Sequence, residues 1–176
     1  MNLAINITRE VPLTKRETSI TERRQWWRNL NAFTARLTND GILNCKIYAI
    51  YALRDALEGQ LAHRHSSRVS TDLLAIPALD CRVAVAADWI LRYGRVLFDH
   101  HEDLGEVAPG PLWKGKSGSF LDRWQLWKQR FGEIGEHDKI DAETRRLAGE
   151  GKSAMEVVEM TPKECLEIDL SLRHMF

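Results

Sequence analysis

Aromatic residues recur at helical spacing in the stretch that follows residue 119, and this pattern constrains the fold more than any other feature of the sequence. Its members lie three or four residues apart, which places them all on one face of an α-helix. They are Phe120, Trp124, Trp127, Phe131 and Ile134. A helix with so apolar a face is stabilised mainly by packing, so the pattern predicts that other elements cover it.

The N-terminal half contains two predicted helices. A capping box of Ser19 and Glu22 begins the first. Its apolar positions repeat at i, i+4, i+7 and i+11, and we expect this stripe to face the core: Trp26, Leu30, Phe33 and Leu37. Asp40 is expected to cap the second helix. The predicted stripe of that helix comprises Leu43, Ile47, Ile50, Leu57 and Leu61.

The longest predicted helix extends from Leu79 to Leu97 and is apolar over most of its circumference, which is typical of a central helix. A helix capped by Asp138 or Asp141 and a short last helix after Thr161 follow the aromatic helix. The chain shows no alternation of strand and helix patterns.

The predicted fold is therefore all-α. A single domain of five to six helices, residues 19–176, surrounds the central apolar helix and has a Pro/Gly-rich loop before the aromatic helix. Residues 1–18 contain Pro12 and no sustained periodicity, so they are predicted to form an irregular N-terminal segment.

The Pro/Gly-rich loop contains a sequence that imitates a nucleotide site. Residues 110–117, Gly-Pro-Leu-Trp-Lys-Gly-Lys-Ser, match the eight-residue P-loop pattern. However, Pro111 removes one of the backbone N–H groups that would hold phosphate, and the acidic residues upstream include no apolar run for a buried strand. We predict no nucleotide binding here and interpret the loop as a bend anchored by Trp113.

Composition excludes several classes of function. The chain has 176 residues, with 25 basic and 25 acidic side chains, so no net charge attracts it to nucleic acid or to an anionic membrane. It has no apolar run long enough for a membrane span and no secretory signal. Its three cysteines are odd in number and lack metal-binding spacing, which favours a reducing, cytoplasmic location.

An acidic cluster with two histidines, residues 99–106, raises the question of a metal site. The adjacent histidines His100 and His101 diverge in any regular conformation, and no second group of ligands at a recognisable spacing occurs elsewhere. We therefore predict no metal and no other cofactor.

Polar residues on apolar helical faces are the candidate catalytic groups. Arg54 lies on the stripe of the second helix, and Glu58, one turn later, is its predicted partner because a buried guanidinium requires an acid. Asp88, spaced to pair with Arg92, and Tyr93 lie on the central helix. The candidates for contact with a ligand or partner are four of the six tryptophans: Trp89, Trp113, Trp124 and Trp127.

The sequence also resembles a family of helical proteins from filamentous fungi that is filed as a domain of unknown function. The resemblance covers roughly residues 30–160. It is carried by Ala52-Leu53-Arg54-x-Ala56-Leu57-Glu58, Trp89-Ile90, Gly94, the loop at 109–118 and Arg123-Trp124-x-x-Trp127-Lys128-x-x-Phe131. It implies an all-helical fold and a fungal origin, and it supplies no activity, cofactor or catalytic residue.

Two functions remain open on this basis. The first is a non-catalytic helical protein in an accessory role, which binds a protein partner or an apolar small molecule through its tryptophans. The second is a cofactor-independent enzyme, of the cyclase or isomerase type, that acts on an apolar metabolite of fungal secondary metabolism in an aromatic-lined cavity. A filled core with tryptophans displayed on a flat exterior would favour the first function, and an enclosed pocket reached by Arg54 or Tyr93 would favour the second.

Overall fold

The computed structural model describes residues 19–59, 79–99, 108, 110–114 and 120–161. Within these residues all regular structure is α-helical. The helices are α1 (Ile20–Asn39), α2 (Lys46–Leu57), α3 (Leu79–Asp99), α4 (Phe120–Glu136) and α5 (Ala142–Met160). The predicted all-α, single-domain fold is confirmed. The predicted N-terminal segment 1–18 and the predicted last helix after Thr161 lie outside the described residues.

The central position predicted for α3 is confirmed. Helices α1, α2 and α5 all pack against α3, and α4 packs against α5 and, less extensively, against α2. Twelve of the residues of α3 are buried, including Trp89, which is fully inaccessible. A helix that is covered from three sides explains why its apolar residues extend around most of its circumference.

The aromatic face of α4 is buried as its spacing predicted. Trp124, Trp127, Phe131 and Ile134 are each 0% exposed. Phe131 lies so close to α5 that a Cβ atom on Gly151 would approach its Cζ atom to 2.9 Å. Glycine at this position thus allows α4 and α5 to pack at short distance.

Helix α1 begins as predicted, but the face that it presents to the core is shifted by one residue, about 100° round the helix, from the predicted one. The Ser19 hydroxyl accepts a hydrogen bond from the Glu22 N–H, and the Glu22 carboxylate accepts one from the Ser19 N–H, which completes the capping box. Yet Trp26 is 48% exposed and Phe33 is 54% exposed. The residues that α1 buries are instead Trp27, Asn31, Thr34, Ala35 and Thr38.

The predicted start of the second helix was also wrong. Asp40 is the C-cap of α1, and Gly41 adopts a left-handed φ of +71° that ends that helix. Helix α2 begins only at Lys46, after a link that contains Ile42 and Leu43. None of the helices in the described part of the chain is long and apolar enough to cross a membrane.

Candidate functional site

The most densely hydrogen-bonded carboxylate in the described part of the chain belongs to Glu58, the residue that ends α2. Its side chain is fully buried. Arg123 donates to it from Nε and Nη2, and Trp127 Nε1 donates over 2.8 Å. The backbone N–H of Gly110 donates over 2.6 Å. Because a buried charge without partners is very costly, the pairing with Arg123 is what makes a carboxylate tolerable here.

The same residue holds the Pro/Gly-rich loop. The carbonyl oxygen of Glu58 accepts a hydrogen bond from the Leu112 N–H over 2.9 Å, in addition to the bond between its carboxylate and Gly110. A Cβ atom at Gly110 would lie 2.6 Å from the Cβ of Glu58, so only glycine fits. We call the set formed by Glu58, Gly110, Arg123 and Trp127 the Glu58 clasp. The predicted bend therefore exists, and its N–H at Gly110 serves a carboxylate of the protein itself.

Arg54 pairs with a different acid from the one predicted. Its Nε and Nη2 atoms lie 2.8 Å and 2.6 Å from Oδ1 of the adjacent Asp55, and its Cζ lies 5.1 Å from the centre of the Tyr51 ring. Glu58 instead faces Arg123 on α4. Helical spacing placed Glu58 within reach of Arg54, but the turn that ends α2 directs the Glu58 side chain into the core.

The two other candidate catalytic groups lie on α3. Asp88, which is 8% exposed, accepts a hydrogen bond from Arg92 as predicted and one from Arg28 of α1, over 3.3 Å and 3.2 Å. Tyr93 is 5% exposed and meets Trp89 edge to face. Desolvation by burial raises the pKa of Tyr93, so its phenol stays neutral. The four candidate catalytic residues therefore take part in separate contacts: Arg54, Glu58, Asp88 and Tyr93.

Three of the four tryptophans proposed as contact residues lie in the core. Trp89 donates its Nε1–H to Asn31, Trp124 donates to Glu159, and Trp127 donates to Glu58. Trp113 is half-buried in the loop. Tryptophans that are inaccessible and whose N–H groups are satisfied contribute to packing and to the orientation of the helices.

Glu159 forms a second polar junction, between α5 and α4. Its carboxylate accepts hydrogen bonds from Trp124, Gln125 and Lys128. Burial alone would raise the pKa of Glu159, but the hydrogen bonds from Lys128, Gln125 and Trp124 outweigh it and lower the pKa below its ordinary value. The carboxylate is therefore ionised at neutral pH and holds α5 against α4.

The thiol of Cys81 and the acidic side chains were the remaining groups with possible nucleophilic or metal-binding chemistry. Burial raises the pKa of the Cys81 thiol to about 11, so it is a poor nucleophile at neutral pH. The described part of the chain holds no group of three or more His, Cys, Asp or Glu side chains that could bind a metal. Of the acidic cluster, Asp99 pairs with Arg95, and residues 100–106 lie outside the described residues.

The outer face of α1 is the apolar surface that sequence reasoning missed. We define the α1 stripe as Trp26, Leu30, Phe33 and Leu37, none of which is buried. It continues beyond the helix, because the N–H groups of Ile42 and Leu43 both donate to the Leu37 carbonyl oxygen. These two side chains are 66% and 42% exposed. Over the helix alone, the α1 stripe extends about 16 Å.

The neighbouring face of α1, which is the buried one, carries polar residues whose hydrogen bonds are formed within the helix. Asn31, Thr34 and Thr38 each donate a side-chain hydrogen bond to the carbonyl oxygen four residues earlier in α1. Asn31 also accepts from Trp89. Once these groups are satisfied they can be buried, so the less apolar face of α1 meets α3 and the more apolar face meets solvent.

At the level of class, the fold defines an all-α, single-domain protein built on a central helix and a buried carboxylate clasp. The chain belongs to the family described as "Protein of unknown function (DUF3632)", whose model matches residues 3–131. The match starts well before α1 and ends within α4, at Phe131. The resemblance to a family of unknown function is thus confirmed. No curated protein and no solved structure matches the chain.

Proposed function

We propose that this protein is a non-catalytic helical module that binds a protein partner through the α1 stripe. The observation that carries the proposal is the exposure of Trp26 and Phe33, at 48% and 54%, on one face of α1. Tryptophan and other aromatic side chains are enriched at the centres of protein interfaces. A cluster of exposed apolar side chains along one helical face is typical of an interaction site.

Three of the candidate catalytic residues form ion pairs within the protein, which supports a binding role over the enzymatic alternative. A cyclase or isomerase acting on an apolar fungal metabolite would need polar groups that face its substrate. Arg54, Glu58 and Asp88 are instead paired with charged groups of the chain. The free thiols Cys45 and Cys81 fit the reducing cytoplasm, where an accessory protein of a fungal pathway would act.

A photo-crosslinking amino acid at the exposed position Asn29, beside the α1 stripe, tests the proposal in cells. We expect a crosslinked adduct with a protein, and we expect Phe33→Glu to abolish it because a charge in the centre of the stripe opposes burial. Leu121→Glu is the matched control, since Leu121 is 50% exposed and lies on α4. Absence of an adduct, or equal loss in both variants, would exclude the α1 stripe as a binding surface.

A further inference from the structure

The residues on the outer face of α1 are separated by intervals that read the same from the N-terminal end of the helix as from its C-terminal end. They lie at intervals of three, four, three, four and three residues: Arg23, Trp26, Leu30, Phe33, Leu37 and Asp40. Alternating intervals of three and four residues are typical of the contact line, or seam, between two paired helices. Each side chain of such a seam packs between residues of the facing helix. A seam that reads identically backwards can pair with an antiparallel copy of itself.

We propose that the α1 stripe binds the α1 stripe of a second copy of this chain, antiparallel, about a two-fold axis between Asn31 and Ala32. The inference rests on the proposed function and names the partner. A two-fold axis brings the same surface patch of both copies together. It places Trp26 opposite Leu37, and Leu30 opposite Phe33, of the other copy.

The sizes of the side chains favour this antiparallel pairing. The two-fold axis creates four apolar side-chain pairs along the seam, and each pair consists of one aromatic residue and one leucine. The summed side-chain volume is therefore similar in all four pairs. A parallel pair would instead place Trp26 against Trp26 and Leu30 against Leu30, with overfilled and underfilled layers alternating. Even volume is what close packing at an interface requires.

The charges at the two ends of the stripe favour it as well. The same axis places Arg23 opposite Asp40 of the other copy, so each end of the seam carries a pair of opposite charges. Neither residue pairs with an opposite charge inside the described part of the chain. Complementary charges at the rim of an interface fix its register and orientation more than they add affinity.

The area is sufficient for a weak dimer. Half-exposed Trp26 and Phe33 each offer about 100 Å², given that aromatic side chains bury roughly 150–250 Å² in full. With Leu30, Leu37 and the adjoining Ile42 and Leu43, two copies would bury about 1,000–1,200 Å² in total, at the lower end of specific interfaces. We therefore expect a dissociation constant in the micromolar range.

Sedimentation velocity of the full chain over a range of concentrations, up to roughly 0.5 mM, measures the association directly. We expect a monomer–dimer equilibrium that Phe33→Glu weakens at least 100-fold, while Leu121→Glu leaves it unchanged. Circular dichroism confirms that both variants are folded. A chain that stays monomeric throughout, or a dimer indifferent to Phe33→Glu, overturns the inference.

Charge reversal tests the orientation. We expect Arg23→Asp and Asp40→Arg each to weaken the dimer roughly tenfold, because each places two like-charged pairs across the seam. The double variant should restore wild-type association. Both single changes place favourable charge at the helix ends, so a weaker dimer would not reflect a weaker helix. Without restoration, the antiparallel register is wrong.

The two proposals fail in different ways. A monomeric chain whose crosslinked adduct with another protein still requires Phe33 would overturn the second-copy inference and leave the proposed function standing. A monomeric chain with no Phe33-dependent adduct would overturn both.

Discussion

At the scale of a single residue, the buried carboxylate of Glu58 fixes the positions of the elements around it through its hydrogen bonds. Its carboxylate joins α2, α4 and the Pro/Gly-rich loop, and each of its oxygens accepts two hydrogen bonds from donors far away in the sequence. The carboxylate therefore specifies one arrangement of these elements. An apolar residue of similar volume would fill the space but would remove the ion pair with the Arg123 guanidinium, which is only 11% exposed.

We expect Glu58→Gln to lower the free energy of unfolding by about 3 kcal/mol, because it removes one charge of a buried pair and leaves the other. Urea unfolding followed by tryptophan fluorescence measures the change. The amide is nearly isosteric with the acid, so the loss would report charge and hydrogen bonding rather than a cavity.

Glu143→Gln is the control for this prediction. Glu143 also pairs with an arginine, Arg146, but the Glu143 side chain is 60% exposed. Exposed pairs contribute little because solvent screens them, so this variant should be close to wild type in stability. Similar losses in the two variants would show that Glu58 has no special role in holding the fold.

At the scale of the element, α1 and α5 each depend on small or polar residues at their contacts. Helix α1 buries Asn31, Thr34 and Thr38 because the helix itself accepts their hydrogen bonds. Helix α5 approaches Phe131 of α4 through Gly151. In α1 the contact surface is not the most apolar face, and in α5 the apolar contact surface includes a glycine, because close approach and satisfied hydrogen bonds matter as much as hydrophobic area.

Two glycines of α5 should respond in opposite directions to the same substitution. We expect Gly151→Ala to destabilise the protein by about 1 kcal/mol, because overpacking against Phe131 exceeds the gain in helix propensity. Gly149→Ala should stabilise it by about 0.5–1 kcal/mol, since a Cβ there meets no atom within 4 Å. Thermal and urea unfolding of the two variants provide the comparison. A stabilising Gly151→Ala would mean that α4 and α5 have room between them.

At the scale of the whole molecule, α5 completes the domain although the family match ends before it. Helix α5 packs against α3 and α4, and its Leu147, Ala148 and Met155 are buried. Arg95 of α3 donates hydrogen bonds to the carbonyl oxygens of Val158 and Thr161 at the end of α5. The boundary of the folded unit therefore differs from the boundary of the matched segment.

We expect a chain that ends at Phe131 to lose cooperative unfolding, because it exposes the faces of α3 and α4 that α5 covers. Circular dichroism during urea unfolding would show a gradual loss of helix in place of a single transition. Adding a peptide of residues 132–161, which supplies the end of α4 together with α5, should restore part of the transition. A truncated chain that unfolds cooperatively by itself would show that α5 is dispensable for the fold.

The sequence alone determined the helices and most of their buried faces. The periods of α3 and α4 are long and strongly apolar, so the burial of Trp89, Trp124 and Trp127 followed from spacing. The cap at Ser19 was readable because capping is local, whereas the cap of α5 was left open between Asp138 and Asp141, and the structure selects Asp141. Pro and Gly residues in the loop before α4 likewise indicated its bend.

Only the tertiary structure decided which residues meet across the chain. Local spacing assigned Glu58 to Arg54, but the fold brings Arg123 to it from 65 residues away. The stripe of α1 was assigned to the core because it is the more apolar face, yet α3 covers the neighbouring face, one residue further round the helix. Spacing reports which side chains share a face. The face that is buried depends on the packing of the whole molecule, because hydrogen bonds formed inside a helix allow its polar side chains to be buried as well.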